Sequence, residues 1–281
     1  MNFKLLALTY LLALHATFSL ANDNNPPQSK SIQTSDTFHN QTKKRSLSIA
    51  NKPSKTTMEF QSAVISGNFE IAELLLKQGA DINCGNCNDF NSTPLMIRTI
   101  RLVDANASME PVKWLINHGA VINKQDKQGK TPLMQAARYA TFTYADGESL
   151  LNYFLKNGAN PAIKDHDGFN TLHYLSLNTP VAIGANGYDP EYTKIMNSNF
   201  ENAVRNVNAG GAKINETSNS GLTPLLIASE KCNPVVIKLL LSLGANQSAK
   251  DLKGNTALNL ALNKAAGTNN KDCNEVVESL K

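Results

Sequence analysis

The phrase Thr-Pro-Leu occurs three times, as Thr93-Pro-Leu-Met96, Thr131-Pro-Leu-Met134 and Thr223-Pro-Leu-Leu226, and weaker copies begin at Asn170 and Asn255. Together they form a ladder of Thr93, Thr131, Thr171, Thr223 and Thr256. Each of the first four is followed by Gly-Ala, at Gly119, Gly158, Gly211 and Gly244, and one more Gly-Ala at Gly79 precedes them all. Self-similarity of this kind constrains the fold more than composition does. One supersecondary unit recurs, and the core forms where neighbouring copies stack. The shortest period, 33 residues from Thr223 to Thr256, agrees with the 33 from Gly211 to Gly244.

The unit has a direct physical reading. Thr223 can cap a helix, Pro224 takes the first helical position where a missing N–H does no harm, and Leu225 and Ala228 share one face. After Cys232-Asn-Pro234 the apolar run from Val235 to Leu243 makes a second helix, which Gly244 stops. Asp251-Leu-Lys-Gly254 then supplies a tight turn into the next copy, and Asp126–Gly129 and Asp165–Gly168 are its equivalents.

These phrases resemble the ankyrin repeat family, whose pattern is Asp-x-x-Gly-x-Thr-Pro-Leu-His, then Leu-Leu and Gly-Ala-Asp-x-Asn. Closing phrases here read Gly79-Ala-Asp-Ile-Asn83, Gly119-Ala-Val-Ile-Asn123 and Gly158-Ala-Asn160. The resemblance covers about residues 56–281, with the first repeat lacking Thr-Pro-Leu and the last lacking Gly-Ala. It implies an all-α ankyrin-repeat solenoid of about six helix-turn-helix repeats with hairpin-like finger turns. It also implies a concave groove that binds protein, and maps Asp89, Phe90, Lys127, Gln128, His166, Phe169 and Tyr174 onto or near that face. Phe90 and Phe169 are the expected anchors, because each fills a variable position where a large apolar group has no core to enter. His173 fills the family's structural histidine position.

Departures from the pattern carry information too. The offset from the Thr mark to Gly-Ala is 21 residues from Thr223, but 26 from Thr93, 27 from Thr131 and 40 from Thr171. The extra 5, 6 and 19 residues fall between paired helices, where insertions become loops on one edge of the stack. The longest is expected around residues 178–193, and Phe142, Tyr144, Tyr188 and Tyr192 offer a second aromatic patch on such loops.

Ahead of the repeats, a basic start and the apolar run from Leu5 to Leu20 read as a secretory signal peptide over residues 1–21. Residues 22–55 form a polar linker carrying six basic and two acidic side chains, which leaves 20 basic against 21 acidic in the repeats. A near-neutral folded part disfavours a nucleic-acid partner, and no membrane anchor is expected after cleavage. Export favours disulfides, and the positions suggest Cys84 with Cys87 and Cys232 with Cys273. The alternative for Cys84-Gly-Asn-Cys87 is a thiol-redox pair; zinc would require two further ligands that its spacing does not supply.

No nucleophile, base and orienting acid can be assembled from the histidines and carboxylates, and no glycine-rich phosphate cradle is present. The expectation is therefore a non-enzymatic protein without cofactor or metal, monomeric and periplasmic or secreted, of an exported bacterial type. Its first reading is an adaptor or scaffold that binds an envelope protein. Other readings are an immunity protein that blocks a delivered toxin's active site, and a thiol-redox protein using Cys84 and Cys87.

Overall fold

A computed structural model describes residues 53–85, 87–88, 91–101, 108–137, 149–178, 190–267 and 270–281. The signal-peptide and linker readings, Asp89, Phe90, and the loop aromatics Phe142, Tyr144 and Tyr188 lie outside the described residues. Twelve helices among the described residues form six successive pairs. They are α1 (Lys55–Ser66) with α2 (Phe69–Lys77), α3 (Pro94–Arg101) with α4 (Glu110–Asn117), and α5 (Pro132–Ala136) with α6 (Leu150–Lys156). The remainder are α7 (Thr171–Ser176) with α8 (Pro190–Ala209), α9 (Pro224–Glu230) with α10 (Pro234–Ser242), and α11 (Ala257–Gly267) with α12 (Lys271–Ser279).

Short helices need their ends satisfied, and one device recurs. Thr131 Oγ1 accepts the N–H of Met134 at 3.3 Å, while Met134 Sδ accepts the N–H of Thr131 at 3.4 Å. Thr93 with Met96 and Thr256 with Asn259 repeat the exchange. In α7 the sequence ladder is one residue out of step. Asn170, not Thr171, is the cap: its Oδ1 accepts from Leu172 and His173, and His173 Nδ1 accepts from the Asn170 N–H at 3.2 Å. Thr171 becomes the first helical residue, and its buried hydroxyl has no partner.

Apolar residues of one pair pack on the next, so a single core runs the length of the stack through Phe60, Leu115, Leu133, Phe154, Leu172, Phe200, Leu225, Leu240 and Val276. The first repeat shows what this stacking does. Ile71 and Leu74 of α2 are 48 % and 54 % exposed, whereas their counterparts in α10, Val236 and Leu239, are 0 % and 7 % exposed. The residue types match, and only their surroundings differ.

Three further links tie the repeats. Three finger turns donate a backbone hydrogen bond to the preceding one: His166 N–H to Gln128 O, Asn219 N–H to Asp167 O and Leu252 N–H to Ser220 O, all at 2.9–3.0 Å. A Cβ at Gly129 would stand 2.8 Å from the His166 backbone nitrogen, which explains the glycine on this seam. The second link is a row of asparagines in the Gly-Ala loops. Asn83 bonds Val121 N–H and Gly119 O, Asn123 bonds Asn160 N–H and Gly158 O, and Asn215 bonds Asn246 N–H and Gly244 O. The third link is a disulfide from Cys232 to Cys273, with Cα atoms 4.6 Å apart, joining the last two repeats.

The long insertion differs from its expected form. Residues 190–193, assigned to a loop by spacing, open helix α8 instead, and α8 is 20 residues long against nine in α10. Met196, Phe200, Ala203, Val204 and Val207 continue a buried stripe, so an apolar period carried upstream makes helix the favoured state there. Residues 179–189 lie outside the described residues.

Candidate protein-binding face

Finger turns and first helices form one face, built on carboxylates that hold the turns. Asp126 Oδ1 accepts the N–H groups of Gln128 and Lys130 at 2.9 Å, and Asp165 Oδ1 accepts those of Asp167 and Phe169 at 3.0 and 2.8 Å. With the turn's polar backbone satisfied from within, the two tip residues are presented as side chains only. Lys127, Gln128 and His166 are exposed there. The next tips carry Asn219 and then Leu252, which is 78 % exposed.

Below the tips lies a ring cluster. Tyr174 donates its hydroxyl to Asp165 Oδ2 at 2.5 Å, and burial together with that carboxylate pushes the phenol well above its ordinary range. It is a fixed donor. Lys130 Nζ stands 5.7 Å from the Tyr174 ring centroid, a cation–π arrangement. Phe169 stacks on His173 at 5.1 Å and meets Tyr174 edge-on at 6.1 Å. Phe169 is thus half-buried, contrary to the reading that it has no core to enter: the turn delivers it onto the first helix of its own repeat.

His173 beneath this cluster is fully buried. Nδ1 accepts from Asn170, so Nε2 carries the proton and donates to Leu222 O at 3.1 Å, across to the following finger. Burial lowers its pKa to about 4. The imidazole is a neutral strut between repeats and not an acid or base for chemistry.

Of the residues mapped to this face, the structure brings together Phe169 and Tyr174 in the ring cluster and places Lys127, Gln128 and His166 on the tips above. Sequence reasoning missed Lys130 and Leu252. Both occupy variable positions of the Asp-x-x-Gly-x phrase, so aligning the turns residue by residue was the available signal. The expected finger between the first and second repeats is held by asparagines in place of the usual aspartate and glycine. Asn88 holds Ser92 N–H at 3.0 Å, as the turn aspartates hold theirs, and Asn91 takes the glycine position with φ +56°.

That finger explains Cys84 and Cys87. Two residues separate Asn123 from Asp126 and Asn215 from Ser218, whereas four separate Asn83 from Asn88. The bridge between Cys84 and Cys87, with Cα atoms 5.8 Å apart, closes over the two additional residues. Cys84 is buried, and neither cysteine begins a helix, the setting that lowers a redox thiol's pKa. Among the described residues no cluster of three or more His, Cys, Asp or Glu side chains could hold a metal ion.

Paired short helices, outstretched turns and a continuous inter-repeat core define an ankyrin-repeat solenoid. Sequence comparisons give the same result: residues 60–165 match a profile of three ankyrin repeats and residues 220–252 match a single ankyrin repeat, so this chain is an ankyrin-repeat protein. It is similar to an ankyrin repeat protein of fowlpox virus, with 31 % identity over 62 % of this chain and 43 % of that one. A mimivirus ankyrin repeat protein is 31 % identical over 36 % of this chain and 58 % of its own length. A palmitoyltransferase of Lachancea kluyveri is 27 % identical over 56 % of this chain and 23 % of its own. The matched region spans less than two thirds of each of these relatives. Ankyrin repeats generally mediate protein–protein interaction and are generally non-enzymatic scaffolds.

Proposed function

We propose that this chain is an exported bacterial adaptor or scaffold that binds one envelope protein through the finger and first-helix face, without catalysis. The carrying observation is the layering of that face. Tip side chains Lys127 and His166 stand above a half-buried cluster of Phe169, Tyr174 and Lys130, the turn aspartates satisfy the backbone beneath, and Leu252 stands exposed on a tip two fingers further along. Such an arrangement offers an amphipathic centre within a polar rim, the anatomy of a protein interface. Support for export comes from the cysteines. All four are in bridges, and oxidising compartments are where bridges persist.

The test is a crosslinked pull-down of the mature protein from its native envelope fraction, comparing wild type with a Lys127→Ala/His166→Ala/Leu252→Ala variant. One dominant protein, captured by the wild type and lost in the variant, is expected. Equal capture by both would remove the fingers from the binding site.

A further inference from the structure

One seam of the stack, between the third repeat (α5, α6) and the fourth (α7, α8), lacks a polar link that the seams on either side possess. The asparagine row stops there. Where Asn83, Asn123 and Asn215 reach into the next Gly-Ala loop, the equivalent position of the third repeat is Ala162, whose methyl can donate and accept nothing. The seam's packing is distributed differently: the short first helices α5 and α7 touch over little of their length, while the second helices α6 and α8 pack on each other. The helices on both sides bury polar atoms without partners, Gln135 Oε1 on α5 and Thr171 Oγ1 on α7, and Gln61 Nε2 repeats the first of these in α1.

The apolar core continues across the seam, and the polar links that accompany it lie at its edges. His166 N–H donates to Gln128 O and Gln125 Nε2 to Lys164 O at the fingers, Asn178 Nδ2 donates to Ala137 O, and Asn206 Nδ2 to Asn152 Oδ1 between second helices. The neighbouring seam is better furnished. Between the fourth and fifth repeats stand the Asn215 rung, His173 on Leu222 O, Asn219 Nδ2 on His166 O, and Lys164 Nζ 2.5 Å from Glu216. The Lys164 ammonium holds the Glu216 carboxyl below the usual carboxylate range.

We propose that the seam between repeats three and four is a built-in hinge, at which two rigid halves of three repeats change their relative angle and so set the curvature of the binding face. Such a hinge would act whichever partner the face takes. A seam that opens intermittently admits water to Gln135 and Thr171, which removes the desolvation cost of leaving them unpaired. Lys127 and Gln128 belong to one half, and His166, Phe169 and Tyr174 to the other. Hinge motion therefore moves the two parts of the face against each other.

Distance distributions from double electron–electron resonance test this in the disulfide-intact protein, with spin labels on introduced cysteine pairs that each span two seams. Lys156→Cys with Lys238→Cys spans the proposed hinge. Glu73→Cys with Lys156→Cys and Glu201→Cys with Glu278→Cys do not. The hinge pair is expected to give the broadest distribution, and adding Ala162→Asn, which restores the missing rung, to narrow it to the width of the other two. Asn123→Ala, which removes a rung from a closed seam, is expected to broaden the Glu73→Cys/Lys156→Cys pair. Three equal widths would overturn the hinge, and so would a hinge-pair width that Ala162→Asn leaves unchanged.

Discussion

His173 shows how much one side chain contributes to this stack. Its ordinary pKa of 6.5 falls to about 4 on burial, so between those values the unfolded chain binds a proton that the folded chain refuses. Stability is therefore full above about pH 6.5 and declines as the pH falls toward 4; about 2 kcal/mol is lost between pH 6.5 and 5. Urea unfolding at pH 7 and pH 5 should show this difference, and His173→Asn should shrink it, because Asn259 does the same capping work in α11 without titrating. An unaltered pH dependence in His173→Asn would assign the effect to other groups. Thr171 makes the opposite case. Its hydroxyl is buried and unpaired, so the near-isosteric Thr171→Val should stabilise by roughly 1 kcal/mol, while Asn170→Ala should cost about 1–2 kcal/mol through the lost cap. Thermal melts that rank them the other way would return the cap to Thr171. The sequence suggested Thr171 because a Thr ladder is easily seen, but Thr, Asn and Asp are near-equivalent caps and pattern alone cannot fix which of two neighbours does it.

At the scale of elements, helix pairs, finger turns and their order were legible because each rests on local chemistry: a cap, a proline at the first turn, a glycine at a positive φ. What hid from the sequence was environment. Ile71 and Val236 look alike in a repeat alignment, yet one is 48 % exposed and the other fully buried, since burial depends on what surrounds the helix. Ile71→Lys should accordingly change stability by less than about 0.5 kcal/mol, whereas Val236→Lys should cost more than about 3 kcal/mol by burying an unpaired ammonium. Comparable losses for both, in denaturant titrations, would mean that something covers the outer face of α2. The same blindness applies to α8, where insertion length was read correctly but its helical part was not, because periodicity within an insertion competes with the expectation of a loop. For the binding face, the turn phrases placed Lys127, Gln128 and His166 on the tips. Phe169 was misjudged because no pattern records that the turn folds its ring back onto His173.

For the whole molecule, stability is a sum over seams, and the ends are its weakest terms. The sixth repeat is pinned to the fifth by the Cys232–Cys273 bridge. Cys232 sits at φ +53°, in the left-handed region, at the end of α9, where the corresponding residue after α1 is Gly67 at φ +81°. A cysteine at a glycine position costs on the order of 1 kcal/mol in backbone strain and persists because the bridge across the last seam is worth more. The pairing was legible from the spacing of equivalent turns; the strain was not, since it appears only as a dihedral angle. Cys273→Ala should therefore let the amides of α11 and α12 exchange with deuterium well before those of α9 and α10. Adding Cys232→Gly should recover about 1 kcal/mol, because glycine takes the left-handed conformation without penalty while leaving the bridge broken. Exchange that stays uniform from α9 to α12 in Cys273→Ala would mean that the packing of α10 on α12 holds the terminal repeat without its disulfide.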